Sequence, residues 1–385
     1  MSTSELGHHG RALPTEARQH NRASVLQVLF RSGPTSRAQL SRITGLTRAS
    51  TSAVVEQLIN DGLVEELGAE ARSGRAGKPA TLLGLQENGN TVIAVDLSES
   101  NQVTTMAMAL SGRIIDETVR PFDLPKGDAG VDAVEALCRD LIAGVDGKPI
   151  GIGIATPGIC TPEGVVVAAP NLGWFDVPLA ERLRDSLGVP VFVANDASCA
   201  ALGEFTFGGA TSEDVEVVLI GKGVGAGMII NGSLVHGSHN AAGEIGHVTI
   251  SDSGRDNKDT VLGEPRECAC GRTGCLETLM SIPAFERAKK ELSEEGLAEY
   301  LAAIGERFGI YTAAVVGTTN IAELIICGPE EFIEGPFIEA AAETMKARTF
   351  PTTNAELVVR LSDLEAKSAL LGGGVLVLSR ELGIA

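Results

Sequence analysis

The chain has 385 residues, a net charge of −19, 44% hydrophobic and 4% aromatic residues, and 46 glycines. That length exceeds one ordinary core and suggests two or three units of an Ala/Val/Ile/Gly-rich α/β protein, which excludes a disordered chain. No apolar run reaches the roughly 20 residues of a membrane span, and the first thirty residues mix His, Arg, Glu and Pro where a signal peptide would be apolar, so the expected location is cytoplasmic. The charge is divided unevenly. Residues 1–85 carry ten Lys and Arg against seven acids, a net of +3, which leaves −22 for the remainder. A slightly basic head can approach phosphates while the acidic body repels them.

In chain order, Ala23, Val25, Leu26, Leu29 and Phe30 recur at helical spacing over His20–Arg31, and Gly33-Pro34 ends the run. A second short helix is expected over Ser36–Thr44, capped by Ser36, with Leu40 and Ile43 facing inward before the turn Thr44-Gly45-Leu46. A third spans Thr47–Asn60 and stops at Asp61-Gly62; Val54, Val55, Leu58 and Ile59 face inward and Arg48, Ser50, Ser52 and Ala53 outward. Two helices joined by a Gly-containing turn, the second small and polar at its start, form the helix-turn-helix whose second helix enters the major groove. Two strand-like pieces follow, Leu63–Leu67 and Ala80–Leu85, around the Gly-rich cationic stretch 68–79, which is the pattern of a wing able to reach phosphates or the minor groove. The candidate DNA contacts are Arg37, Thr47, Arg48, Ser50, Ser52, Arg72, Arg75 and Lys78. A three-helix protein-interaction module with a solvated loop is the alternative.

Beyond residue 90, Thr91–Leu97 reads as a buried strand, followed by Val103–Leu110, Gly112–Val119 and the strand-to-turn run 149–158. Val189–Ala194 closes on Asn195-Asp196, a polar pair at a strand tip where α/β folds place chemistry. Glu216–Ile220 leads into the loop Gly221-Lys222-Gly223-Val224-Gly225-Ala226-Gly227 and a further strand through Ile230. Cys268, Cys270 and Cys275 crowd together in an odd set of seven cysteines, which suits a metal better than disulfides. Cys138, Cys160, Cys199 and Cys327 stand alone and read as buried small apolar residues. With His247 the clustered thiols make a Cys3His tetrahedral set, the pattern of structural Zn2+; three reduced thiols without metal is the alternative. One ring nitrogen of His247 would then face the ion and the other would stay free. Thr249–Glu267, with the charged run 252–259, reads as a surface loop insertion.

The order of these motifs, with Gly243-Glu244-Ile245-Gly246-His247 and the Cys268–Glu277 run, resembles the ROK family nearly end to end, and the head resembles that of the family's regulators. The resemblance implies an N-terminal winged helix-turn-helix over residues 1–85, followed by a two-lobed, actin-like ATPase (sugar-kinase) α/β fold. Its first lobe would take residues 86–200 with the C-terminal helix 366–385, and its second residues 201–365 with the zinc motif. It implies that Asn195, Asp196, Glu244, His247 and Glu277 bind sugar hydroxyls, with Asn171 a weaker candidate; carboxylates, an amide and an imidazole are the groups a polyol needs. Kinases of the family follow the aspartate of the first phosphate loop with x-Gly-Gly-Thr. Here Asp96 is followed by Leu97-Ser98-Glu99-Ser100, Lys222 stands where the second loop has Thr, and Cys327-Gly328-Pro329 replaces paired glycines. Asp196, the base of a kinase, is then vestigial. On the recognition helix Ala53 replaces an expected second basic residue, which shifts contact onto Arg48 and the wing.

These readings predict a sugar-responsive regulator of carbohydrate genes, most simply a repressor and not an enzyme. Its partners would be a palindromic operator, a sugar or sugar-phosphate effector, and its own copies in a homodimer or dimer of dimers. An ATP-dependent sugar kinase with Asp196 as base is the alternative, and a scaffold that only dimerises is a third class.

Overall fold

The computed structural model describes residues 14–69, 80–99, 101–250, 261–354 and 356–384. Its first helix, α1 (Pro14–Ser32), begins six residues before the expected His20 because proline at the first helical position costs no hydrogen bond. A two-residue strand β1 (Thr35–Ser36), missed in the sequence, precedes α2 (Arg37–Thr44), where Ser36 and Gln39 form a reciprocal capping box and Gly45 ends the helix in the left-handed region at φ 71°. Then come α3 (Arg48–Asn60), capped by Thr47, and the antiparallel strands β2 (Val64–Ala69) and β3 (Thr81–Leu85) in the sheet order β1-β3-β2. Val25, Leu26, Leu29, Leu40, Val55, Leu58 and Leu83 fill the small core. Ile43, expected inside, is 58% exposed. The two-turn α2 buries only Leu40, and Gly45 turns the chain away before a second inward position forms. Most of the wing, 70–79, lies outside the described residues.

The contacts divide the protein into two units, one of residues up to 91 with 109–113 and 378 onward, the other of residues 92–108 and 114–377. The C-terminal residues, expected with the first lobe, therefore split at Val377. From Leu378 they join the helical head, where a Cβ on Gly383 would lie 2.6 Å from Ala23 Cβ.

The second unit holds two five-stranded sheets. One uses β4 (Val92–Asp96), β5 (Gln102–Met108), β6 (Ile114–Pro121), β7 (Gly151–Thr156) and β11 (Val191–Asn195) in the order β11-β7-β4-β5-β6, with α4 (Asp128–Gly144) and α5 (Leu179–Leu187) beside it. Three short strands, β8 (Ile159–Cys160), β9 (Val166–Ala169) and β10 (Trp174–Val177), make a separate small sheet that the sequence did not announce. The other large sheet uses β12 (Val215–Ile220), β13 (Val224–Ile230), β14 (Ser233–Leu234), β15 (Glu323–Cys327) and β16 (Val358–Leu361), ordered β14-β13-β12-β15-β16. Its covering helices include α7 (Glu277–Met280), α8 (Ile282–Glu291), α9 (Glu294–Thr319), α10 (Glu330–Ile333), α11 (Pro336–Arg348) and α12 (Pro351–Asn354). Phe285, Phe308, Phe332 and Phe337 pack there, with Phe308 and Phe337 stacked at 5.7 Å between centroids. All four isolated cysteines are buried, as read from the sequence.

Two helices, α6 (Asp196–Phe207) and α13 (Ser368–Val377), pack on each other between these sheets, α6 against β12 and β13 and α13 against β4 and β7. Gly372-Gly373-Gly374 inside α13 violates helix propensity, yet the contact demands it. A Cβ on Gly372 would stand 1.7 Å from Cys199 O, and one on Gly153 of β7 1.8 Å from Gly373 O. Gly372→Ala therefore overpacks a backbone contact, and an unfolding curve should show a loss of about 1–3 kcal/mol or more.

Candidate functional site

The end of β11 and the start of α6 place Asn195 and Asp196. Asn195 Oδ1 accepts from Ser198 N at 3.0 Å and so caps α6, while Nδ2 donates to Gly158 O and to Asp196 Oδ1, both at 3.0 Å. Asn195, expected to bind sugar, also orients Asp196 through its amide nitrogen. Burial pushes Asp196 up to about 7, and the nearby Asp96 charge adds to the rise. Asp96 is also raised by burial, and its Oδ1 accepts from Ser98 Oγ at 2.5 Å and from Ser98 N at 2.9 Å. The first phosphate-type loop thus folds onto its own aspartate. This partnership was not foreseen, although the short spacing of Asp96 and Ser98 is the signal of a side-chain-closed turn.

On the facing side, Gly243 and Gly246 let a single 3-10 turn lie against β13: a Cβ at these positions would stand 1.8 Å from Ala226 O and 2.1 Å from Val224 O. That turn presents Glu244 and His247, whose Nε2 is 4.0 Å from Glu244 Oε2. Burial raises Glu244, the His247 charge opposes the rise, and Glu277 adds to it. Glu277, the first residue of α7, lies against the glycine loop, with Oε2 accepting from Val224 N at 3.3 Å and Oε1 3.5 Å from Cys268 Sγ. Glu244 also acts on Asp196, so the structure brings Asp196, Glu244, His247 and Glu277 into one electrostatic neighbourhood. Asn171 sits exposed in a 3-10 turn.

Behind this wall the ligand atoms of His247, Cys268, Cys270 and Cys275 lie within 4.8 Å of one another. His247 Nδ1 is 3.5 Å from Cys268 Sγ, and Cys270 Sγ is 3.6 Å from Cys275 Sγ. Tetrahedral coordination at about 2.3 Å per Sγ requires edges of about 3.8 Å, so the four groups can hold one metal ion. The loop closes through Cys268 N donating to Arg272 O at 2.7 Å and left-handed Gly271 and Gly274. The Arg272 backbone N–H pulls Cys270 down to about 6, which favours the thiolate a ligand needs. Of the expected loop insertion, residues 251–260 lie outside the described residues; its ends are anchored, with Thr249 bridged to Cys275 and Leu262 buried in the core.

In the head, α3 exposes Arg48 and Ser52. Thr47 Oγ1 accepts from Ser50 N at 3.1 Å and lies 2.9 Å from Ser50 Oγ, so both hydroxyls shape the helix start. Arg37 is paired with Glu66 at 2.9 Å. Arg72, Arg75 and Lys78 lie outside the described residues.

If the four clustered groups share an ion, Cys270→Ser removes one ligand, and elemental analysis of purified protein should find metal per chain sharply reduced from about one. Wild type without metal, or the variant with a full complement, would contradict the site.

Among curated proteins, the xylose repressor of Caldicellulosiruptor bescii is 29% identical over 413 residues, covering 97% of this chain and 98% of that protein. A glucokinase of Halalkalibacterium halodurans is 30% identical over 319 residues, 72% of this chain and 93% of that protein. A solved ROK family transcriptional regulator, a homolog of the Escherichia coli MLC protein, superposes with a TM-score of 0.80 at 22% identity, covering 96% of this chain and 98% of its own. The fold is accordingly a winged helix-turn-helix joined to a two-lobed, actin-like sugar-kinase body. Residues 104–379 match the ROK family, and the chain belongs to it.

Proposed function

We propose that the protein is a sugar-responsive, DNA-binding transcriptional repressor of carbohydrate genes. The observation that carries the reading is the convergence of Asp196, Glu244, His247 and Glu277 in a chain that also folds a helix-turn-helix. Carboxylates accept from sugar hydroxyls and the His247 Nε2 edge completes the set, while Asn195 holds Asp196 in place. The full-length relation to a xylose repressor supports the same assignment.

The ion that fits His247, Cys268, Cys270 and Cys275 is zinc, because three thiolates and an imidazole are the donor set of closed structural zinc sites. When bound, it fixes His247 and clamps the cysteine loop; the chain's own residues do the recognition. In the head, Arg48 and Ser52 on α3 would face base edges, with Thr47 and Ser50 presenting the helix start to the phosphates and the wing arginines and lysine adding charge. Two heads in a homodimer, or in a dimer of dimers, would read a palindromic operator in the cytoplasm. Sugar changes operator affinity only through a difference in its own affinity for the two body states.

The kinase alternative meets a specific obstacle. Lys222 Nζ lies 3.0 Å from Glu99 Oε2, so the two loops that would cradle triphosphate are bridged by an ion pair. No sugar-dependent ADP formation is expected; turnover abolished by Asp196→Asn would restore the enzyme reading.

Two outcomes test the assignment. A saturating cognate sugar, at about 100 times Kd, should raise stability by about 2.7 kcal/mol, and Asp196→Asn should weaken binding by roughly 10- to 100-fold. No shift with any sugar would leave only the scaffold reading. Arg48→Ala should weaken operator binding by roughly tenfold in fluorescence anisotropy without changing the sugar Kd; unchanged operator affinity would remove α3 from the interface.

A further inference from the structure

Resting on the sugar reading above, we propose that the effector is an uncharged, unphosphorylated sugar, and that the Glu99–Lys222 ion pair excludes phosphate-bearing ligands. Both sides of the site are lined by carboxyl groups. Asp96 ends β4 and Asp196 opens α6 on one side, while Glu244, 4.0 Å from His247 Nε2, and Glu277, on the Val224 N–H, stand on the other. A divalent ion on His247 and three thiolates leaves the metal cluster itself net negative, so it offers a phosphate no compensating cation. Hydroxyl groups donate to such carboxylates, whereas a phosphate is repelled by them.

Among the described residues, Lys222 is a cation placed to alter this balance. It lies in the glycine loop between β12 and β13, two residues before Val224, whose N–H donates to Glu277. Glu99 reaches it from the loop after β4, one residue beyond the Ser98 that closes on Asp96. The pair therefore joins the loops at the edge of both carboxylate groups, and its 3.0 Å contact already gives the ammonium an anion. Lys222 and Glu99 are 41% and 37% exposed, so the pair adds little to folding stability. Its consequence is the placement of charge: an incoming phosphate must displace Glu99 from Lys222 and then face Glu99 as a further like charge.

The test is titration calorimetry on the full chain at about 0.15 M salt, where charges beyond about 8 Å are screened and close contacts dominate. The probes are D-glucose, N-acetyl-D-glucosamine and D-xylose, each beside its 6-phosphate or, for xylose, its 5-phosphate. The sugar that binds should do so at least about tenfold more tightly than its phosphate ester. Glu99→Gln should narrow that gap by about threefold or more through tighter ester binding, and Glu99→Gln with Lys222→Gln should reopen it. A phosphate ester that binds wild type as tightly as its parent sugar, or a gap unmoved by Glu99→Gln, overturns the inference and leaves the sugar reading standing. Binding of neither member of any pair overturns both.

Discussion

The site depends on one imidazole. His247 turns Nδ1 toward Cys268 at 3.5 Å and Nε2 toward Glu244 at 4.0 Å, so a single ring belongs both to the thiol cluster and to the polar wall. Glu277 repeats the arrangement, with one oxygen near Cys268 Sγ and the other on the glycine-loop N–H of Val224. Fixing the cysteine loop therefore fixes the rotamers of two wall residues. A polyol site needs such preorganisation, because each of its hydrogen bonds is directional and modest in net free energy.

The same economy explains the glycines around the wall. Gly243 and Gly246 bring the 3-10 turn onto the backbone of β13, and Gly372 brings α13 onto α6, whose first turn carries Asp196. The walls are thus attached to closely packed elements. Charge completes the picture. Carboxyl groups of Asp96, Asp196, Glu244 and Glu277 gather here, and Lys222 pairs with Glu99 at the edge of the loops that carry them.

Much of this was legible in the sequence where local chemistry sets local structure. Ser36, Gly45 and Thr47 announce helix ends through caps and a left-handed turn, and the cysteine spacing announces a shared ligand position. Features set by tertiary contact were not. Gly372-Gly373-Gly374 lies within the C-terminal helix that the resemblance implied, but the reason for its glycines, Cys199 O against Gly372, is visible only in the fold, and Ile43 satisfies a helical period in a helix too short to bury it. The strands Ile159–Cys160, Val166–Ala169 and Trp174–Val177 are too short for a periodic signal. Asn195 was readable as a polar strand tip, but its hold on Asp196 is visible only in the fold, where Gly158 O takes the other bond of the same amide nitrogen. Glu99 and Lys222 were each visible as substitutions; only the fold makes them partners.

The thiol cluster and the polar wall share His247. The most direct measurement is the sugar Kd of one preparation before and after metal removal with a chelator, at a temperature where far-UV circular dichroism shows the stripped protein still folded. A Kd weakened by at least about tenfold, restored on adding zinc, is the expected result. Unchanged sugar affinity in metal-free, folded protein would contradict the shared-residue account.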